Sequence, residues 1–518
     1  MKHRIDSRKR FKTTEPDVDG DSGDNATRVS RSDPRRTYCV CDSGGGLAEG
    51  SSALPSRTII TLRDILCSVP RDTTSVDRRT LLKTAGATGA AGLAGLAGCT
   101  GGDGGGGGDE DDFPALGNYP VEGDTVTFGF NVPQTGPYSS EGEDELRAYQ
   151  LAKKHLNNGG GWIDTFEDLS GDGVLGFEVE SVNGDTATDA DTARQSAQRM
   201  INRDNAIMIS GGSSSAVAIA VQGLCQDETV MFQCCLTHSN DTTGKDCVRY
   251  SFREMFNAYM TGQALAPVLE AEYGSDNTFY QLYADYSWGQ TVQSSMRQFL
   301  TDIGWEEVDS VPTPLGTSDF SSYLSDIASE VDVLLLDHYG LDGANSVSQA
   351  VEAGLDEEME IVVPLYNRPM ARSAGGAIEG VFGTVAWDSQ IDNEPSNSFT
   401  QAFQDEYDRV PSGPAQLAYA STLQYAAAAE RAGTFYPPEV IRELEGYEYD
   451  NIGMGEETMR ACDHQAQRAI PVSRGLPESE QTSGNFLEIV ELTSREDVGY
   501  ACDSGPAAEC ELGAYGDE

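Results

Sequence analysis

The sequence predicts an α/β protein built as two doubly wound parallel-sheet lobes, and three observations carry that reading. Short runs rich in Val, Ile and Leu alternate with helix-like stretches of about 10–16 residues, the pattern of βαβ units and parallel sheets. The alternation begins at Asp124 and falls into two similar blocks, roughly 124–252 and 257–380. Loops rich in Gly, Ser and aromatic residues follow the strand-like runs, where open parallel sheets place ligands.

Taken in order, the first block has strand-like runs at Val126–Val132, Phe177–Val182, Ala206–Ser210 and Val230–Cys234. Between them Glu143–Asn157, Ala187–Arg203 and Ala216–Gln226 read as helices. The second block opens with a helix over Phe256–Glu272, followed by strands at Thr278–Tyr283, Val331–Asp337 and Glu360–Pro364. Its further helices are expected at Gln290–Ile303, Phe320–Ser329 and Ala344–Ala353. Hinges are expected near Phe252–Phe256 and Val381–Ala386, where one block gives way to the next.

Composition limits what such a body can do. The 518 residues include 38% hydrophobic and 8% aromatic side chains, enough for a sizeable core. The formal net charge of −49 leaves no basic surface to replace counterions on phosphates, so no nucleic-acid partner is expected. No run of 18 or more strongly apolar residues appears, so a membrane-spanning transporter or channel is not expected either. The charge is uneven: the first 98 residues carry 16 Lys+Arg and 12 Asp+Glu, leaving 19 and 72 for the rest. Only Lys153, Lys154 and Lys245 are lysines in that remainder. A lysine-poor, carboxylate-rich coat spread along the chain fits halophilic adaptation better than a surface for one cationic partner.

Residues 76–98 read as an address. Arg78-Arg79, a short Gly/Ala-rich apolar run and Leu96-Ala97-Gly98-Cys99 look like a twin-arginine export signal ending in a lipobox. Cys99 would become a lipidated N-terminus that anchors the chain to the outer face of the cell membrane, with 99–123 as a flexible tether. About 75 residues precede this signal, without periodicity and with three cysteines, Cys39, Cys41 and Cys67. Either the biological start lies near Val76 or 1–75 is a disordered extension; no fold is expected there.

The strand-end loops are the specific part. They read Gln134-Thr135-Gly136-Pro137-Tyr138, Asn157-Asn158-Gly159-Gly160-Gly161 and Ser210-Gly211-Gly212-Ser213-Ser214-Ser215-Ala216. Ala284-Asp285-Tyr286-Ser287-Trp288-Gly289-Gln290, Ser318-Asp319-Phe320-Ser321-Ser322-Tyr323 and Asp463-His464-Gln465 follow. This ordered set resembles the leucine/isoleucine/valine-binding-protein family, the type I periplasmic-binding-fold receptors of ABC importers for branched-chain amino acids, urea and short amides. The resemblance covers about 124–490. It implies two lobes joined by a multi-strand hinge: 124–255 and 382–455 in lobe 1, 256–381 and 456–500 in lobe 2, and 501–518 as a tail. It also implies partners: a small polar solute, a permease and its ATPase subunits. No cofactor or metal is expected.

Candidate ligand contacts follow from residue chemistry and from this resemblance. Ser213, Ser214 and Ser215 come after a Gly pair and before a helix, where hydroxyls and free amides suit a carboxylate or carbonyl oxygen. A single serine would suffice for a helix cap. Ser214 matches the family's carboxylate-holding serine, and Cys235 and Thr237 match the next strand-end contacts, Cys235 through its backbone. Trp288 matches an aromatic position that closes over the ligand, while Tyr286 is expected in the core. Tyr339 matches a site tyrosine; Tyr138 and Glu141 are first-loop candidates. The family's acidic partner for an α-ammonium is replaced here by Leu365, Tyr366 and Asn367, so Tyr366 is expected to serve a neutral group. Asp337 or Asp342 could compensate. Otherwise an amide, urea-like or carboxylate ligand fits better than an α-amino acid.

Other features point elsewhere. Asp168 and Asp172 lack the full calcium-loop spacing, and the acidic 164–172 loop reads as a solvated insert. His155, His238, His338 and His464 show no metal-ligand spacing, and His464 is expected to be structural. Of seven cysteines after Cys99, Cys225–Cys247 and Cys502–Cys510 are the expected disulfides, with an odd thiol left over. No nucleophile elbow, phosphate loop or zinc helix is present, so no catalytic residue is expected. A ligand sensor on the same fold and a lipid-anchored hydrolase using Ser213–Ser215 are the alternatives to a solute receptor.

Overall fold

The computed structural model describes residues 116–327 and 330–517. The 1–75 extension, the 76–98 signal and Cys99 lie outside them.

Lobe 1 begins with β1 (Thr125–Val132), α1 (Ser139–Asn158), β2 (Glu178–Asp185), α2 (Ala190–Asp204), β3 (Ala206–Gly211), α3 (Ser215–Glu228), β4 (Met231–Cys234) and β5 (Ser251–Arg253). All five strands are parallel, in the order β2-β1-β3-β4-β5. β3 is buried along its whole length, as a central strand covered on both faces must be. Local chemistry sets the helix ends: the Asp189 carboxylate accepts from Thr192 N at 2.8 Å to start α2, and Asn205 ends it in the left-handed region.

Lobe 2 repeats the plan with α4 (Ala258–Tyr273), β6 (Thr278–Ala284), α5 (Ser287–Asp302), β7 (Glu306–Thr313), α6 (Ser321–Ser325), β8 (Val333–Asp337), α7 (Gly340–Glu352), β9 (Glu360–Leu365), α8 (Arg368–Ala374) and β10 (Phe382–Thr384). Its parallel strands run β7-β6-β8-β9-β10, the same winding as lobe 1. The chain then returns to lobe 1 through α9 (Glu394–Tyr407), α10 (Gly413–Ala432) and α11 (Pro437–Leu444). α10 packs along α1 and is buried from Gly413 to Ala429; its residues there are mostly apolar or small, and the buried Gln416 and Gln424 amides donate to Ile452 O and to Glu254 and Glu457. A small antiparallel sheet, β11 (Glu448–Tyr449), β12 (Glu457–Met459) and β13 (Ala466–Gln467), leads back to lobe 2. There β14 (Ile470–Gly475) and β15 (Leu487–Thr493) extend the sheet antiparallel beyond β10.

Three crossings join the lobes, and Arg468 ties them. Its buried guanidinium pairs with Glu254 at 2.7 Å on the first crossing and donates to Ala386 O at 2.6 Å on the second, while Arg468 itself sits on the third. Burying such a pair gains little net stability, but removing one partner strands a charge at a cost of about 3–5 kcal/mol. His464 belongs to the same region: it stacks on Phe252 with centroids 3.9 Å apart and hydrogen-bonds Ser251 O and Glu445.

The structure corrects several expectations. The helix expected at Phe320–Ser329 spans only Ser321–Ser325, a stretch in which the Ser325 hydroxyl bonds back to Ser322 O. The disulfides are Cys247–Cys510 and Cys462–Cys502, not Cys225–Cys247 and Cys502–Cys510. Cys225 lies on the buried face of α3, packed into the lobe 1 core, while Cys247 is taken by the tail. The C-terminal tail runs back to that loop instead: Arg249 donates to Gly513 O, and the Tyr250 hydroxyl donates to Tyr515 O at 2.6 Å. Cys225, Cys234 and Cys235 are free and buried. In the acidic insert, Asp168 pairs with Arg431 at 3.0 Å.

Candidate functional site

Both sheets reverse winding beside their first strand, at β1/β3 in lobe 1 and β6/β8 in lobe 2, and the loops beyond those strand ends face one another. The loop after β3 is shaped by its glycines. Gly211 and Gly212 have φ of 128° and 79°, and a Cβ on Gly211 would lie 2.2 Å from Asn131 O. Ser214 is a non-glycine residue at φ 94°, a costly conformation that places it at the start of α3 without capping it.

A small cavity lies between the lobes. Lobe 1 lines it with Tyr138, Ser214, Ser215, Leu236, Thr237 and His238. Lobe 2 contributes Tyr286, Trp288, Tyr339 and Leu365. The lobes touch around it: the Tyr138 and Tyr286 hydroxyls are 2.6 Å apart, and the Tyr138 and Tyr339 rings meet edge-on at 5.5 Å. Leu341 N donates to Pro137 O at 3.2 Å, and Asn367 Nδ2 to Glu141 Oε1 at 3.1 Å.

Six of the nine residues expected from the sequence line this cavity: Tyr138, Ser214, Ser215, Thr237, Trp288 and Tyr339. Ser215 also has a scaffolding task, because its hydroxyl accepts from Thr237 Oγ1, His238 N and Ser239 N. The other three lie behind the wall. The Ser213 hydroxyl donates to the buried Glu145 carboxylate. Cys235 spends its amide on Gly211 O at 2.8 Å, and its buried thiol lies near Pro414 O, Glu145 and Tyr149. The Tyr366 hydroxyl donates to Val381 O at 2.8 Å within lobe 2, and the preceding Leu365 lines the cavity instead.

The sequence reading missed His238 and placed Tyr286 in the core. Trp288 Nε1 donates to His238 Nδ1 at 2.9 Å, which fixes the imidazole as the Nε2–H tautomer. Nε2 then donates to Thr261 Oγ1 at 2.7 Å; Thr261 lies 3.2 Å from Thr384 Oγ1, which donates to Pro364 O at 2.7 Å. Burial, then the nearby Arg253 charge, holds His238 well below the usual imidazole range, so it is neutral. No spacing in the sequence signals this role; His238 is simply the residue after Thr237.

The carboxylates around the cavity are shifted by burial and engaged by hydrogen bonds. Burial raises Glu141 and pushes Glu145 to about 8 and Asp342 to about 6. Glu141 accepts from Asn367 and Ser140, and Asp342 accepts from Gly316 N at 2.7 Å. The lining itself is aromatic and carries no charged side chain, with one unengaged hydroxyl: Ser214 Oγ makes no well-formed hydrogen bond and faces the Tyr286 phenol.

Comparison with known proteins agrees with the fold. A Leu/Ile/Val-binding protein homolog from Brucella melitensis is 23% identical over 384 residues, covering 70% of this chain and 88% of that protein. A substrate-binding protein of an amino acid ABC transporter from Pseudomonas fluorescens superposes with a TM-score of 0.66 at 22% identity, covering 75% of this chain and all of that one. A solute-binding protein from Rhodopseudomonas palustris, in complex with 3,4-dihydroxybenzoic acid, superposes with a TM-score of 0.62 at 20% identity, covering 72% and 97%. The sequence profile of the periplasmic binding proteins matches residues 125–477. With its two lobes of the type I fold and its interlobe cavity, the chain belongs to the periplasmic binding protein family.

Proposed function

We propose that this protein is an extracytoplasmic solute receptor of an ABC importer, exported by the twin-arginine route and held to the outer face of the membrane through lipidated Cys99. Two lobes close over a small polar solute, amino-acid- or amide-like in size, and present it to a permease whose ATPase subunits drive uptake. The receptor itself performs no chemistry. One observation carries the reading: a small cavity, lined by residues of both lobes, where the lobes meet through Tyr138 and Tyr286. The kinship supports it, since similar proteins include a Leu/Ile/Val-binding protein homolog and an ABC transporter solute-binding protein in complex with 3,4-dihydroxybenzoic acid.

Thermal shifts of the exported protein in high salt against amino acids, amides, urea and aromatic acids test the reading. A specific solute at a hundredfold excess over its Kd adds about 2.7 kcal/mol of stability. The gain should vanish in Ser214→Ala and Trp288→Ala. A panel-wide absence of shifts would reject it. Release of a Cys99→Ala variant into the medium tests the anchor; retention on the membrane would refute it.

A further inference from the structure

Resting on the receptor reading, we infer that the solute is an aromatic monocarboxylate without an amino group, its carboxylate held at the start of α3 and its ring among the cavity's aromatic side chains.

The carboxylate end has a built receptor. α3 runs for 14 residues from Ser215, and Ser214 at its N-terminal boundary provides no side-chain cap. The first-turn amides of such a helix and the positive end of its dipole favour an anion. Ser214 is 4% exposed, its Oγ makes no well-formed hydrogen bond, and it lines the cavity. A buried donor left without an acceptor is costly, and a ligand oxygen at this point would satisfy it. Ser214 holds its position at φ 94°, where glycine would be relaxed.

An ammonium has no such place. None of the ten lining residues is acidic, and neutral His238 has both ring nitrogens engaged, by Trp288 and Thr261. None of the carboxylates behind the wall lines the cavity: Glu141 accepts from Asn367, Glu145 from Ser213 and Asp342 from the Gly316 amide, and burial raises all three, as it does Asp337, whose two oxygens have no hydrogen-bond partner. A zwitterion would bury its cation without a counter-charge, whereas a simple carboxylate buries only the charge that the helix compensates.

The apolar part should be flat. The Trp288 and Tyr339 rings lie 6.1 Å apart at 63°, and Tyr286 and Trp288 lie 6.1 Å apart at 33°. With the Tyr138 ring edge-on to Tyr339, these faces and edges suit another ring in offset or T-shaped contact. The space between these rings is small, so the solute is compact and the lobes must part to admit it.

The test uses matched ligands on the exported protein in high salt, with calorimetry and thermal shift. Benzoate and 3-phenylpropanoate should bind. L-Phenylalanine, which differs from 3-phenylpropanoate only by the amino group, should bind at least about a hundredfold more weakly. Benzamide should be about tenfold or more weaker than benzoate. Ser214→Ala and Ser214→Gly should each weaken benzoate about tenfold, and the glycine variant guards against misfolding, since its backbone conformation is relaxed. Phenylalanine or leucine binding as tightly as its deaminated partner overturns the inference and leaves the receptor standing. Benzamide matching benzoate, or 4-methylpentanoate exceeding both aromatic acids, overturns it likewise. Silence from these compounds and from amino acids, amides and urea overturns inference and receptor together.

Discussion

The hydroxyls of Tyr138 and Tyr286 meet at 2.6 Å, one from each lobe, and seal the wall of the interlobe cavity. Burial, then the neighbouring phenol, raises Tyr138 well above the usual range, so both groups stay protonated and one donates to the other. Tyr138→Phe removes that bond and keeps the ring. Loss of a neutral hydrogen bond costs about 0.5–1.5 kcal/mol, so solute affinity should fall about two- to tenfold. Small-angle scattering should show a larger open fraction; unchanged affinity and compactness would deny the pair a part in closure.

Trp288 depends on His238 for its orientation. Trp288→Phe keeps an aromatic surface but deletes the donor, and His238→Ala deletes the acceptor beneath it. A buried polar group left without its partner costs about 1–3 kcal/mol, so His238→Ala should weaken binding about five- to a hundredfold. The double variant His238→Ala/Trp288→Phe should lose less than the two single losses added together, because both report one bond. Full additivity in calorimetric titrations would rule out the coupling.

Ser214→Gly should separate stability from binding. Ser214 sits at φ 94°, where glycine is relaxed, so the variant should be more stable by about 1 kcal/mol while binding the solute more weakly. Paired melting and titration curves test this; a fall in both quantities would mean that the hydroxyl supports the fold.

Glu145 gives a pH signature. Burial moves its folded pKa up to about 8 from the usual carboxylate value, with Ser213, Glu141, Asp144 and Cys235 as the groups facing it. Between about pH 4.5 and 8 the folded state binds more protons than the unfolded one, so this residue's contribution falls as pH rises through that window. Buried His155, held at about 4, acts oppositely below the usual imidazole value, so wild type alone would mislead. Glu145→Gln should therefore gain a few kcal/mol relative to wild type at pH 8 and little at pH 5. Denaturant unfolding at both values measures it; a constant difference would show that Glu145 does not titrate in this range.

How much of this was legible depended on what each signal encodes. Every run read as a strand lies in a sheet: the buried parallel strands advertise themselves by continuous Val, Ile and Leu, and edge strand β2 by Phe177 and Val179 on one face. β7 escaped notice because it is an edge strand of alternating polar residues, Glu306–Thr313. The Gly-Gly-Ser run marked the α3 start, since only such a sequence allows the chain to turn at Gly211. Tyr366 and Leu365 show the limit. Adjacent residues at a strand end point to opposite sides, and composition alone favoured the tyrosine as the polar contact. The structure turns Leu365 to the cavity and Tyr366 to Val381. Disulfide partners were illegible for a different reason: Cys247 and Cys510 are 263 residues apart, and only the return path of the tail brings them together.

That last bond makes a covalent ring. Cys247 precedes the first crossing into lobe 2 and Cys510 follows the last strand of lobe 2, so the oxidised chain encloses the whole of that lobe in one closed circuit. In the receptor proposed above the three crossings would serve as the hinge; the tail, pinned near Arg249 and Tyr250, adds a tether on the lobe 1 side. A hinge sets the axis of opening, whereas a tether sets its amplitude. Reducing the bond should leave the axis unchanged and lengthen the swing, so the redox state of the medium would govern how far the receptor gapes between solutes.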